Sequence, residues 1–210
     1  MKRAALSLVL VVALLWGADY AARLYAQQRV ASQLVGTLGA SSRPSVHISG
    51  FPFLWNLLAD GTVRSVDVRL GSTGIGPLHV AAVNATVDRI RVQRSSLLGR
   101  GAIKIDSTGP ATLDAVVTAQ QVSAVFGQRV QLLANGSATT SLFGQRVTLH
   151  PSISRSEGIS LGIPGLPRAH LPLPATFRLG GCSPELRISA GEAVLGCHFQ
   201  TVPRSLLQRV

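Results

Sequence analysis

The sequence predicts an α+β protein in which a strongly curved antiparallel β-sheet with one greasy face follows helical segments at the N-terminus. Three observations predict it. From about residue 45 onward, apolar and polar residues alternate in many short runs, the period of half-buried strands. Ahead of them lies a basic, then apolar, then amphipathic stretch. Between the two sits Gly50-Phe-Pro-Phe-Leu-Trp-Asn-Leu-Leu-Ala-Asp-Gly61, where the chain concentrates its apolar surface. With 210 residues, 14% charged and 46% hydrophobic, the chain has enough length for one good-sized domain and too much apolar content for disorder.

Lys2-Arg3 precede an apolar run from Ala4 to Ala18 that ends at Asp19. A basic flank followed by an apolar core is the pattern of an export signal. The run is shorter than the roughly 20 residues that span a bilayer comfortably. No clean small-x-small cleavage site follows, because Trp16, Asp19 and Tyr20 crowd its place. Residues 1–19 therefore read as a signal peptide or an uncleaved membrane anchor, and the excess of positive charge ahead of the run puts the remainder outside the cytoplasm. Residues 20–39 read as an amphipathic helix. Tyr20, Leu24, Ala31, Leu34, Val35 and Leu38 share one face, Arg23, Gln27, Gln28, Arg29, Ser32 and Gln33 the other, and Gly39 is the expected stop. Residues 40–210 form the remaining single domain.

Within Gly50–Gly61, Pro52 suits the first turn of a helix and Gly61 a left-handed close. Leu54, Leu57 and Leu58 fall on one face, with Phe51 and Trp55 spaced to stack beside them. Asn56 is the only polar residue from Phe51 to Ala59. A short helix apolar nearly all round must be covered on more than one side. It is either a core helix plugging the sheet or a surface partly turned toward lipid.

The strands follow. Val46 and Ile48 share a face, as do Val66, Val68 and Leu70, then Val83, Ala85 and Val87. Ile90 and Val92 carry the apolar face onto even numbers, so a β-bulge is expected around Asp88-Arg89. Ile103 and Ile105 continue, then Ala111, Leu113 and Ala115, with a short helix over Ala119 to Phe126. Phe126-Gly-Gln-Arg-Val130 recurs as Phe143-Gly-Gln-Arg-Val147, each leading to a leucine (Leu132 and Leu149), and reads as two similar strand starts. The four prolines of Ile163–Pro174 rule out a central strand there and leave an apolar loop carrying Arg168 and His170. Cys182 and Cys197 are the only cysteines and read as one disulfide in an exported chain. Between them a hairpin is expected to turn at Ala190-Gly191-Glu192.

The net charge of +11 is almost all arginine, Lys2 and Lys104 being the only lysines. The arginines are scattered singly and no nucleic-acid-binding signature accompanies them, so no nucleic-acid partner is expected. Anionic headgroups at a membrane surface suit the charge equally well. His47, His79, His150, His170 and His198 show no HExxH or other tight ligand spacing. Gly71-Ser-Thr-Gly-Ile-Gly76 leads to Pro77 and a strand-like run, so it is no dinucleotide turn. Asn84-Ala-Thr86 and Asn135-Gly-Ser137 match glycosylation sequons, patterns too short to carry weight. No catalytic residue, metal site or cofactor is expected.

Taken together, the basic start, the helix around Ala21 to Leu38, and Val46-His-Ile-Ser-Gly-Phe-Pro-Phe-Leu54 with Leu57-Leu58 behind it resemble the actinobacterial LmeA family of cell-envelope phospholipid-binding proteins. Val66-Asp-Val68, Gly76-Pro-Leu78, Leu97-Leu98-Gly99 and the Thr118–Phe126 segment extend the resemblance over most of the chain from about residue 20. It implies a tubular, TULIP-like fold whose curved antiparallel sheet wraps a helix and leaves an elongated apolar groove. It also implies phospholipid binding in the envelope, as a carrier or sensor in glycolipid biogenesis. Acyl chains are then expected against Phe51, Phe53, Leu54, Trp55, Leu57, Leu58, Val66, Val68 and Ile90, with Arg89, Arg91 and Arg94 as headgroup candidates. The expected partners are phospholipid and a membrane surface, and the expected location is the periplasm or cell envelope. The alternative is a non-catalytic envelope protein whose sheet binds an enzyme of polymer or glycolipid synthesis.

Overall fold

The computed structural model describes residues 2–38, 43–75, 78–93, 104–142, 144–154, 158–162, 169–171 and 182–202. Helix α1 (Lys2–Leu38) runs unbroken through Asp19, so the apolar and amphipathic segments expected on either side of that residue are one 37-residue helix. Asp19 does not end it because its carboxylate has another use. The residue is 7% exposed, and its Oδ1 accepts a hydrogen bond from the Leu54 backbone N–H at 2.6 Å. The expected stop at Gly39 lies outside the described residues.

Strand β1 (Ser45–Ser49) leads into α2 (Phe53–Trp55), which continues as a π-helical turn over Asn56–Asp60. Pro52 sits one place earlier than the sequence suggested, as the N-cap, where it offers no side-chain acceptor. Asp19 supplies that acceptor from α1. The Phe51–Pro52 peptide is cis. Gly61 closes the turn at φ 63, and its N–H returns to Asn56 and Leu57 carbonyls, the left-handed close that glycine adopts without a Cβ clash.

The chain continues through β2 (Thr62–Leu70), β3 (Thr73–Ile75), β4 (Leu78–Val80), β5 (Ala82–Val92), β6 (Ile105–Ser107) and β7 (Ala111–Thr118). Then come α3 (Ala119–Phe126), β8 (Val130–Leu132), β9 (Ala138–Leu142), β10 (Gln145–Ser154), β11 (Gly158–Gly162), β12 (Ala169–Leu171), β13 (Cys182–Ser189) and β14 (Glu192–Phe199). The main sheet has the order β1-β2-β5-β7-β14-β13, with β6 pairing β5 off that path. A second sheet runs β12-β11-β10-β9-β8, and β3-β4 is a separate hairpin. The described pairings are antiparallel and leave the main sheet open. The fold is α+β: an N-terminal helix, a large antiparallel sheet and a few short helices, as the sequence predicted.

Local chemistry explains the secondary elements. Thr118 caps α3 in a reciprocal box, its hydroxyl accepting from Gln121 N at 3.3 Å while Gln121 Oε1 accepts from Thr118 N at 2.9 Å. Thr118→Ala should cost about 1 kcal/mol, a drop of about 2–4 °C in melting temperature for a chain of this size, read by thermal denaturation of the full chain in detergent. The β13–β14 hairpin turns at Ala190-Gly191, with Gly191 at φ 84, where the sequence placed it. Cys182 and Cys197 are joined, with Cα atoms 5.5 Å apart, and both are almost fully buried. Asn135-Gly-Ser137 is explained by its turn: Asn135 Oδ1 accepts from Ser137 N at 3.1 Å and from Ser137 Oγ at 2.7 Å.

Two expectations change. The β2–β5 ladder keeps one offset from Val66↔Val87 to Val63↔Ile90, with Arg89 held at φ 47 between them. Both strands therefore change the parity of their apolar residues together, without an inserted residue in β5. The register shift lies further on, between Arg91 and Val92 against β6. The two FGQRV segments are also not equivalent. The first runs from the end of α3 into β8, whereas the second turns between β9 and β10, with Phe143 outside the described residues. They nonetheless converge, since Val130, Leu132 and Leu149 are buried in one cluster with Ala138.

Of the apolar loop Ile163–Pro174, Ala169–Leu171 pairs as the edge strand of the second sheet, and the remainder lies outside the described residues. So do Gly76-Pro77, Arg94, Leu97-Leu98-Gly99 and Ile103.

Candidate functional site

Directly paired residues in an antiparallel ladder point to the same face, so the register reads out the faces of the main sheet. One row runs Val46, Val68, Ala85, Leu113, Cys197, Pro184 across six strands. The next runs Ile48, Val66, Val87, Ala111, Phe199, Cys182. A third adds Leu70, Val83, Ala115, Leu195 and Leu186. At about 4.8 Å per strand this is an apolar face about 24 Å wide. The opposite face is polar: Thr86 donates to Asp67 at 2.8 Å, and Glu185 lies 3.4 Å from both Arg187 and His198.

The apolar face is covered unevenly. On the β13–β14 side the second sheet and α3 close it, with Ile188 and Ala193 against the Val130–Leu132–Ala138–Leu149 cluster and Ile153 of β10 against the main core. At its other edge α1 packs on β1, where Ile48 is buried and His47 exposed. Between these covers, Val66, Val68, Ala85, Val87 and Leu113 are only half-buried. They form an apolar strip along the middle strands, Val68, Val87 and Leu113 packing against the core around Leu70, Val83 and Ala115, directed toward the α2 end of the sheet; a ligand trough along this strip is proposed below.

That end is built differently. Phe53 is buried, and Leu54 and Leu57 are half-buried. Phe51 is 59% exposed, Trp55 69% and Leu58 58%. Phe51 meets Trp16 of α1 edge-on, with ring centroids 6.1 Å apart. The Gly50–Gly61 stretch is thus neither a fully covered plug nor a free helix: one side packs against α1 and the start of β2 and the other is open. Beside it Asp60, Thr62, Arg91, Val92, Gln93 and Asp106 line a recess of about 590 Å³.

Of the residues singled out from sequence, Val66 and Val68 lie in the strip, and Ile90 pairs with Val63 beyond it. Phe53 is buried and Leu54 and Leu57 half-buried in the adjoining turn, while Phe51, Trp55 and Leu58 are exposed. Arg91 lines the polar recess, Arg89 is exposed nearby, and Arg94 is outside the described residues. Sequence reasoning missed Ala85, Val87 and Leu113 as residues of this strip, although their alternation was visible, because only strand order sets them beside Val68. It also missed Asp19 as a structural residue. Among the described residues, no group of three or more His, Cys, Asp or Glu is placed to hold a metal ion.

A wide apolar face left half-open between a helix and a second sheet is the scaffold of a protein that holds an apolar ligand by burial. Comparison gives the ligand class: the chain matches the family model described as LmeA-like phospholipid-binding over residues 17–199, most of its length, and belongs to that family. No curated protein and no solved structure matches it.

Proposed function

We propose that this protein is an extracytoplasmic phospholipid carrier or sensor of the cell envelope, held at the membrane by α1. The half-buried row Val68-Ala85-Leu113, with Val66 and Val87 beside it, is the observation that carries this reading. Acyl chains lie in that trough, with Phe53, Leu54 and Leu57 closing its end. Burial at roughly 25 cal/mol per Å² supplies the affinity. The headgroup sits toward the recess, where Arg91 bonds phosphate and Asp60 and Asp106 favour a headgroup that also carries an ammonium. A chain with an apolar N-terminal helix and a buried disulfide suits an exported setting.

The test is solvent extraction of the full chain after exhaustive detergent exchange, followed by mass spectrometry. One diacyl phospholipid retained per chain is the expected result. A stable chain that retains none, and takes none from added vesicles, would overturn the carrier reading and favour an envelope interaction protein.

A further inference from the structure

The apolar run Ala4–Ala18 has 15 residues and, at 1.5 Å each, covers about 22 Å. A bilayer's hydrocarbon core is about 30 Å thick. The helix makes up the difference by running on past Asp19, and its stretch Val9–Ser32 is long and apolar enough to cross a membrane.

At the outer end of that run two contacts bind the folded domain to the helix. Trp16 meets the Phe51 ring, and three residues later Asp19 holds the Leu54 N–H. The Gly50–Gly61 turn is therefore fixed to α1 at Trp16 and Asp19, within its membrane-directed stretch. The side chains it turns outward there are Phe51, Trp55 and Leu58, all more than half exposed, beside Trp16 at 67%. Single exposed apolar residues need no explanation, but a contiguous aromatic patch on a soluble face does.

We infer that this patch is the domain's membrane-docking surface: Phe51, Trp55 and Leu58 enter the outer leaflet beside Trp16. Continuity with the membrane-directed helix names the bilayer as the occupant. Tryptophan favours the headgroup level, and interfacial segments ordinarily bury Trp, Phe and Leu by about 5–10 Å. Around the turn the exposed Arg64 and Arg91 are matched by the exposed Asp60 and Asp106, so docking relies on apolar insertion and is insensitive to salt. It sets the trough's α2 end at the leaflet surface. The inference rests on α1 as a retained anchor, as proposed above, and not on which ligand fills the trough.

Trp16 and Trp55 are the protein's only tryptophans, so Trp16→Phe leaves Trp55 as the sole tryptophan reporter. In the full chain reconstituted into phosphatidylcholine vesicles, Trp55 emission should shift to shorter wavelength. It should lose most of its intensity to lipids brominated near the glycerol end of the acyl chain, and resist aqueous iodide. None of this should change between about 0.1 and 1 M salt. Trp55 open to iodide and unquenched by brominated lipid would overturn the proposal. A lipid bound in the trough is separated from the bilayer by adding Ala85→Phe, which fills the trough. Persistent quenching in Trp16→Phe/Ala85→Phe supports docking, and its loss overturns it. If extraction finds no retained lipid while quenching persists, the carrier reading fails and the docking surface stands.

Discussion

Ala85→Phe should strip the chain of its retained phospholipid and leave the fold in place. Ala85 lies at the centre of the half-buried row, paired with Val68 on one side and Leu113 on the other. A phenyl ring there enters the trough from its floor. Displacing about four methylenes at about 0.8 kcal/mol each removes about 3 kcal/mol, or roughly a hundredfold in affinity. The backbone conformation suits an aromatic residue, since strands favour them, and Ala85 is itself only half-buried. Lipid per chain after detergent exchange is the readout, with circular dichroism and melting as the check on folding. A folded variant that holds lipid as the parent does would rule out this trough as the binding site.

The second large effect is at Asp19. Asp19→Leu removes the acceptor for the Leu54 N–H in a part-buried site, and an unmet donor of that kind costs about 1–3 kcal/mol. For a chain of this size that lowers the melting temperature by several degrees, at about 2–4 °C per kcal/mol. Asp19→Asn keeps an acceptor oxygen at the same position and should recover most of the loss. Equal melting of Asp19→Leu and the parent would mean that the bond does not hold the turn to α1. The same variant also loosens the domain from the membrane-directed helix, so it should weaken the protection of Trp55 from iodide in vesicles.

Much of this protein was readable in its residues because the decisive interactions are local. Thr118 and Gln121 cap a helix three residues apart, Gly61 closes a turn through its own φ, and Ala190-Gly191 reverses a strand onto its neighbour. Period-two alternation marked β2, β5, β7 and β13–β14 because a half-buried strand requires it. The proposed binding surface was legible only in part. Val66 and Val68 were visible as an inward pair, whereas Ala85 and Leu113 gain their role from crossing between strands far apart in the chain.

Asp19 shows the limit most clearly. In sequence an acid after an apolar run reads as the end of a segment, and nothing local says otherwise. Its partner is 35 residues away, and burial against that partner lets the helix continue to Leu38. The exposure of Trp55 is of the same kind: an all-apolar turn states that it must be covered, but not by what. By itself the sequence determined the fold class, most strands with their apolar faces, the hairpin that carries the disulfide and the family, because each follows from short-range backbone chemistry or from residue pattern. Tertiary structure alone decided which apolar side chains meet in a strip, which are left facing outward, and where α1 grips the domain. Those depend on strand order and on contacts between residues that the chain itself keeps far apart.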